Sequence, residues 1–191
     1  MTKLTPEERN RRNSEILVPW IAAMVATVML LACFVLPLLT ASQQHRNDLM
    51  KNPEGREYFG EALTNEQATE LSMYEFFLIY WNTFSEEGPE ESVTAVCVFC
   101  GTAILAALML VLALLKKPIP VLILNVLAIF PYMFATEFIG SKDVFMYMYT
   151  WSWAKDLYLL AFVAVLGCGA WLLVKKMKIT WEILDTRDFS D

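Results

Sequence analysis

The chain has 191 residues, of which 57% are hydrophobic and 19% are charged. A soluble domain is about 45–50% apolar and about 25% charged, so the excess apolar surface must face a medium other than water. The net charge is −6, and the sequence contains no cluster of basic residues of the kind that binds nucleic acid. We therefore expect an integral membrane protein in contact with the lipid bilayer and with no nucleic-acid partner.

Four apolar segments are candidates for membrane-spanning helices, each of which needs about 20 residues. They lie at about 16–40, 93–115, 121–136 and 157–174. The linker between the second and the third is short, so these two form an antiparallel hairpin. The sequence predicts an all-α four-helix bundle that forms a single membrane domain over residues 1–191.

Lys and Arg are concentrated on one side of the predicted bundle. The two termini and the turn at 116–117 carry ten of them, and the opposite side carries five. Basic residues near span ends stay in the cytoplasm. We therefore expect a multi-pass protein of the cell membrane with both termini cytoplasmic. The loop 41–92, which holds eleven Asp or Glu against three Lys or Arg, then lies outside.

A short helix is predicted inside this acidic outer loop. The segment Ser72-Met73-Tyr74-Glu75 matches a capping box, in which Ser and Glu satisfy each other's backbone N–H groups at a helix start. The apolar residues that follow favour a helix over about 73–84, too short to cross the bilayer. It should lie in the outer interface or over the mouth of the bundle. Its candidate interface residues are Phe76, Phe77, Tyr80 and Trp81.

The segment Cys97-Val98-Phe99-Cys100 resembles the Cys-x-x-Cys of quinone-linked disulfide oxidoreductases and vitamin K epoxide reductases, which are also small membrane proteins of four or five helices. The resemblance implies a redox pair at Cys97 and Cys100. Those enzymes pass electrons through a second cysteine pair in an outer loop, and here neither outer loop contains a cysteine. Buried cysteine commonly packs as a small apolar residue. We expect both to be reduced, packed thiols.

Other catalytic or transport chemistry has little support in the sequence. Asn125 and Pro131 interrupt the third segment, but no Asp, Glu, Lys, Arg or His lies in the middle of any span, where ion and proton pathways need them. His45, the only histidine, has no metal-ligand partner at a recognisable spacing. We therefore expect no metal and no cofactor.

Three classes of function follow from these features. We favour a non-enzymatic accessory or scaffold subunit that contacts a membrane-protein partner, or a second copy of itself, through its outer loop and helix faces. The alternatives are a membrane thiol oxidoreductase and a small transporter or channel component. A long first outer loop followed by shorter ones is similar to the arrangement in claudin-type four-helix proteins. Their loop tryptophan and paired cysteines are absent, so the likeness concerns architecture.

Overall fold

A computed structural model describes residues 6–87, 93–94 and 96–188. Residues 88–92 of the predicted outer loop, with part of its acidic sequence, lie outside this description. The described α-helices are α1 (Pro6–Ala32), α2 (Gln43–Leu49), α3 (Met73–Glu87), α4 (Gly101–Leu114), α5 (Pro118–Gly140), α6 (Asp143–Met148) and α7 (Ala154–Asp188). The described strands are β1 (Leu39–Ala41), β2 (Glu70–Leu71) and β3 (Tyr149–Trp151). A π-helical turn, Val96–Cys100, leads into α4.

Four helical segments are long and apolar enough to cross a membrane, as predicted. They are Asn13–Val35, Cys97–Leu114, Pro118–Gly140 and Ala154–Trp181. Helix α1 packs against α4 and α7, and α5 packs against the same two helices, so the four close into a ring. Because the helices alternate in direction, the start of α1, the α4–α5 turn and the end of α7 share one end of the bundle, which we call the terminal end.

Small side chains allow the helices of the bundle to approach closely. Ala106, Ala128 and Ala161 are fully buried. A Cβ atom added to Gly101 would lie 3.0 Å from Cβ of Pro131, so α4 meets α5 there with no spare room. In lipid the hydrophobic effect does not drive helices together, and close van der Waals packing of this kind holds the bundle.

The predicted span boundaries were wrong at several ends. Helix α1 passes into a 3-10 turn that ends at Val35, well before residue 40. Leu36 is extended because the ring of Pro37 disfavours helical geometry in the residue before it. The third span is longer than 121–136, since Pro118 is tolerated in the first helical turn and the helix continues through Pro131.

A small antiparallel sheet covers the other end of the bundle. Strand β1 is central, with Leu39 opposite Leu71 of β2 and opposite Trp151 of β3. The all-α prediction was therefore incomplete, because strands of two or three residues are too short to show the alternation that marks a strand. The sheet joins residues 36–87 and 141–153 into one unit, which we call the cap.

Candidate functional site

Helix α3 starts at the predicted capping box. The Ser72 backbone N–H donates to Glu75 Oε2 at 2.9 Å, and the Glu75 backbone N–H donates to Ser72 Oγ at 3.3 Å. The Ser72 hydroxyl also contacts the Glu75 carboxylate. These bonds satisfy N–H groups that a helix start otherwise leaves open. The prediction of a helix at this position is confirmed.

Four aromatic rings fix α3 over the end of the bundle. The Phe99 ring stacks on Phe76 at 5.7 Å and on Tyr80 at 5.1 Å, and Phe138 meets both Tyr80 and Phe99 edge-on. Phe76 and Phe99 are 0% and 3% exposed. We call these four residues the aromatic cluster. Since it joins α3 to the π-helical turn and to the end of α5, the cap and the bundle are packed as one body.

The candidate interface residues on α3 therefore divide between two sides of the helix. Phe76 and Tyr80 face the cluster and pack within the chain. Trp81 is 45% exposed, and its ring lies 5.7 Å from that of the half-buried Phe77. Tyr74, three and seven residues before these two, lies on the same side and is also exposed. Tyr74, Phe77 and Trp81 form what we call the outer aromatic face.

The loop between α2 and β2 is organised around one buried side chain. Asn65 Nδ2 donates to the carbonyl of Asn52 at 2.9 Å, and its backbone N–H donates to the carbonyl of Gly55 at 2.7 Å. Its Oδ1 accepts from the backbone N–H of Glu57 at 3.3 Å. One asparagine thus ties three points of the loop together, which gives the loop a defined shape.

The surface of this loop is acidic. Four of its exposed side chains are glutamates, and a fifth exposed glutamate follows at the start of β2. We call these five residues the acidic surface: Glu54, Glu57, Glu61, Glu66 and Glu70. Two nearby basic side chains are engaged within the cap. Lys51 Nζ lies 2.6 Å from Asp48 Oδ1, and Arg56 Nη1 donates to the carbonyl of Glu61 at 2.8 Å. Lys51 forms an ion pair with Asp48 and not with a glutamate of the acidic surface. The five glutamates therefore present a net negative surface.

His45 lies inside the cap and is 7% exposed. Its ring packs edge-on against Tyr58 at 4.9 Å and Tyr149 at 5.3 Å. Burial lowers the pKa of its imidazole, and the nearby Asp48 carboxylate opposes this only in part. Within the described residues its Nε2 has no hydrogen-bond partner. His45 is therefore a neutral aromatic residue in the core of the cap. Nothing in the sequence around it predicted that it would be buried there.

The two cysteines of the Cys-x-x-Cys segment lie at the cap end of the second span. Cys97 is exposed and Cys100 is half-buried, and neither forms a disulfide. Cys33 is buried and Cys168 is half-buried, and both are also free thiols. Phe99 lies between the two cysteines in the sequence. It has a clear structural role, because its ring is at the centre of the aromatic cluster.

Polar side chains buried within the described spans bond to helix carbonyls. Asn125 Nδ2 on α5 donates to the carbonyl of Phe162 on α7 at 3.1 Å, and the hydroxyl of Thr102 on α4 donates to the carbonyl of Ala128 at 3.3 Å. Hydrogen bonds of this type join neighbouring helices in lipid. In the described part of the chain, no group of three or more His, Cys, Asp or Glu side chains could hold a metal ion.

Comparison of the chain with models of known protein families, with curated proteins and with solved structures finds no match.

Proposed function

We propose that the protein is a non-catalytic accessory subunit of the cell membrane that binds a membrane-protein partner through its cap. The observation that carries this proposal is the outer aromatic face, which is held on the bundle by the aromatic cluster and lies on the same folded cap as the acidic surface. The ten-to-five distribution of Lys and Arg supports a cap on the outer side and termini in the cytoplasm.

A preformed surface favours binding because little conformational entropy is lost on association. The hydrogen bonds of Asn65 and the sheet already order the cap in the free protein. Trp and Tyr are enriched among the residues that carry most of the binding energy at protein interfaces. Trp81 and Tyr74 are both exposed, so they are available to a partner. The five glutamates give the surface its selectivity, because a complementary basic surface on the partner speeds and orients association.

Site-specific photo-crosslinking in cells tests this proposal. A benzophenone amino acid is introduced in place of Trp81 or of Glu66, and in a control in place of Phe134. Phe134 is 66% exposed on the spanning helix α5. Positions 81 and 66 should give one shared crosslinked protein, and position 134 should not. Raising the ionic strength of isolated membranes before irradiation should reduce the yield at position 66, because surface charges are then screened.

Three outcomes would count against a membrane-protein partner at the cap. The same crosslinked band from position 134 would indicate proximity without a specific surface. A product formed by two copies of this chain alone would indicate self-association. No product from either cap position, with the protein expressed at its normal level, would remove the basis of the proposal.

A further inference from the structure

His45 lies where three segments of the cap meet. It belongs to α2, and its ring packs against Tyr58 of the following loop at 4.9 Å and against Tyr149 of β3 at 5.3 Å. Its side chain is 7% exposed. A change in the charge of this ring therefore acts on α2, on the loop and on the sheet at once.

The two tyrosines connect His45 to the acidic surface. The hydroxyl of Tyr149 donates to the backbone carbonyl of Ala68 at 2.8 Å, and Ala68 lies two residues after Glu66. Tyr58 directly follows Glu57 in the loop. Displacement of either ring would consequently move the backbone that carries these glutamates.

The site holds a neutral imidazole more easily than an imidazolium. In the imidazolium both ring nitrogens carry a proton, and the buried Nε2 of His45 has no hydrogen-bond partner among the described residues. A buried N–H without an acceptor is unfavourable, and more so when the group is charged. Opening of the cap would let water solvate the cation and would remove this cost.

The charged groups around His45 compensate only part of this cost. Asp48 on α2 favours the imidazolium, but its carboxylate is paired with Lys51 at 2.6 Å. The charged side chains of the loop 50–66 are all exposed. Strand β1 and the turn 67–69, which also pack against α2, contain no ionisable residue. The two tyrosines stay uncharged near neutral pH, because the pKa of tyrosine is about 10.

We propose that His45 makes the cap sensitive to pH: a proton that its imidazole takes up from water favours an open cap, in which the loop separates from α2 and the acidic surface loses its order. Histidine suits this role because its charge changes between about pH 5 and 8. The opening is a property of the free protein. Its consequence, release of a partner at mildly acidic pH, rests on the proposed function.

The direction of the effect follows from the burial of the ring. A histidine in water has a pKa of about 6.5, and burial lowers the pKa of His45 in the closed cap. The open cap therefore binds the proton more readily than the closed cap. The closed cap has its full stability above about pH 6.5 and loses it as the pH falls from there toward the lowered pKa of the closed form.

Hydrogen exchange of the full-length protein in detergent, corrected for the intrinsic effect of pH on exchange, tests this proposal. In the wild-type protein the loop amides should open about tenfold more often at about pH 5.5 than at about pH 7.5, because one pH unit below the pKa of the open form corresponds to a factor of ten. His45→Phe keeps an aromatic ring without a titratable group. Its ratio between the two pH values should be below about twofold.

Tyr149→Phe is the matched control, because it removes the hydrogen bond to Ala68 but keeps the ring that packs on His45. It should raise exchange at both pH values and keep the tenfold ratio. Equal ratios in the wild-type and His45→Phe proteins would overturn the proposal, since another group would then cause the response. Loss of the ratio in Tyr149→Phe as well would overturn it by showing that any loosening of the cap has this effect.

A second measurement needs no variant, because His45 is the only histidine in the chain. With ¹³C-labelled histidine, the protein gives one imidazole NMR signal. Its protonated form should appear in step with faster exchange of the loop, and titration at about pH 6.5 with unchanged loop exchange would overturn the proposal. Exchange is measured without a partner, so a pH-dependent cap that gives no crosslinked partner would refute only the proposed function.

Discussion

Replacing Phe99 with Ala is expected to lower the free energy of unfolding by about 3–5 kcal/mol, the usual cost of removing a buried phenyl ring. Phe99 is 3% exposed, and its ring touches Phe76, Tyr80 and Phe138. Its loss would leave a cavity between α3 and the bundle. Reversible unfolding in mixed micelles measures the effect, and proteolysis of the cap should accelerate in parallel.

Phe134→Ala is the control for this prediction. Phe134 is also a phenylalanine near the cap end, but its side chain is 66% exposed. Its truncation leaves no cavity, so the free energy of unfolding should change by only about 0.5 kcal/mol. Similar costs for the two variants would mean that the aromatic cluster does not hold the cap on the bundle.

Gly101→Val is expected to force α4 away from α5 and to destabilise the bundle by about 1–3 kcal/mol. A Cβ at this position would lie 3.0 Å from Cβ and 3.3 Å from Cγ of Pro131, and valine adds two further methyl groups. The proline ring is rigid, so it cannot rotate aside as a flexible side chain would. Thermal unfolding in detergent measures the loss.

Gly167→Val makes the same chemical change on α7, where a Cβ would have no atom within 4 Å. Its stability should match or slightly exceed that of the parent, because glycine is a poor helix former. Gly169→Ala is intermediate, since its Cβ would meet Cδ2 at the flexible end of Leu122. Equal stability of the Gly101 and Gly167 variants would contradict the close approach of α4 to α5.

The elements predicted correctly are those with local signals. A run of apolar residues determines whether a helix can cross the bilayer, wherever its neighbours lie. The start of α3 was predictable for a similar reason, because Ser72 and Glu75 are three residues apart and cap the helix themselves. Pro37 is also a local signal, because it marks the end of the first span. The apolar residues that follow it led to a predicted span that was too long.

The sheet and the sides of α3 could not be predicted, because they depend on segments far apart in the chain. Strand β1 pairs with β3, more than a hundred residues later. Six consecutive apolar or aromatic residues begin at Phe76, and such a run shows no helical period that would distinguish Phe76 from Phe77. Only the position of Phe99 and Phe138 decides which side of the helix is buried.

The contacts at the terminal end could not be predicted for a similar reason. In the sequence, Lys116, Lys117 and Lys176 indicate orientation only, as basic residues that flank spans. Lys176 meets the carbonyl of Lys116 across sixty residues of chain, and Trp20 reaches the same turn from α1. These contacts exist only once the helices have packed.

Labelling with an impermeant maleimide tests the architecture most directly. Single cysteines replace Ser14, Glu54, Ser141 or Ser190 in a protein whose four native cysteines have been substituted, and intact cells are labelled. Positions 54 and 141 should react, and positions 14 and 190 should react only after the cells are permeabilised. Reaction at 14 together with 141 in intact cells would contradict the four-span bundle. Reaction at 14 and 190 alone would place the cap inside the cell and contradict an outer partner.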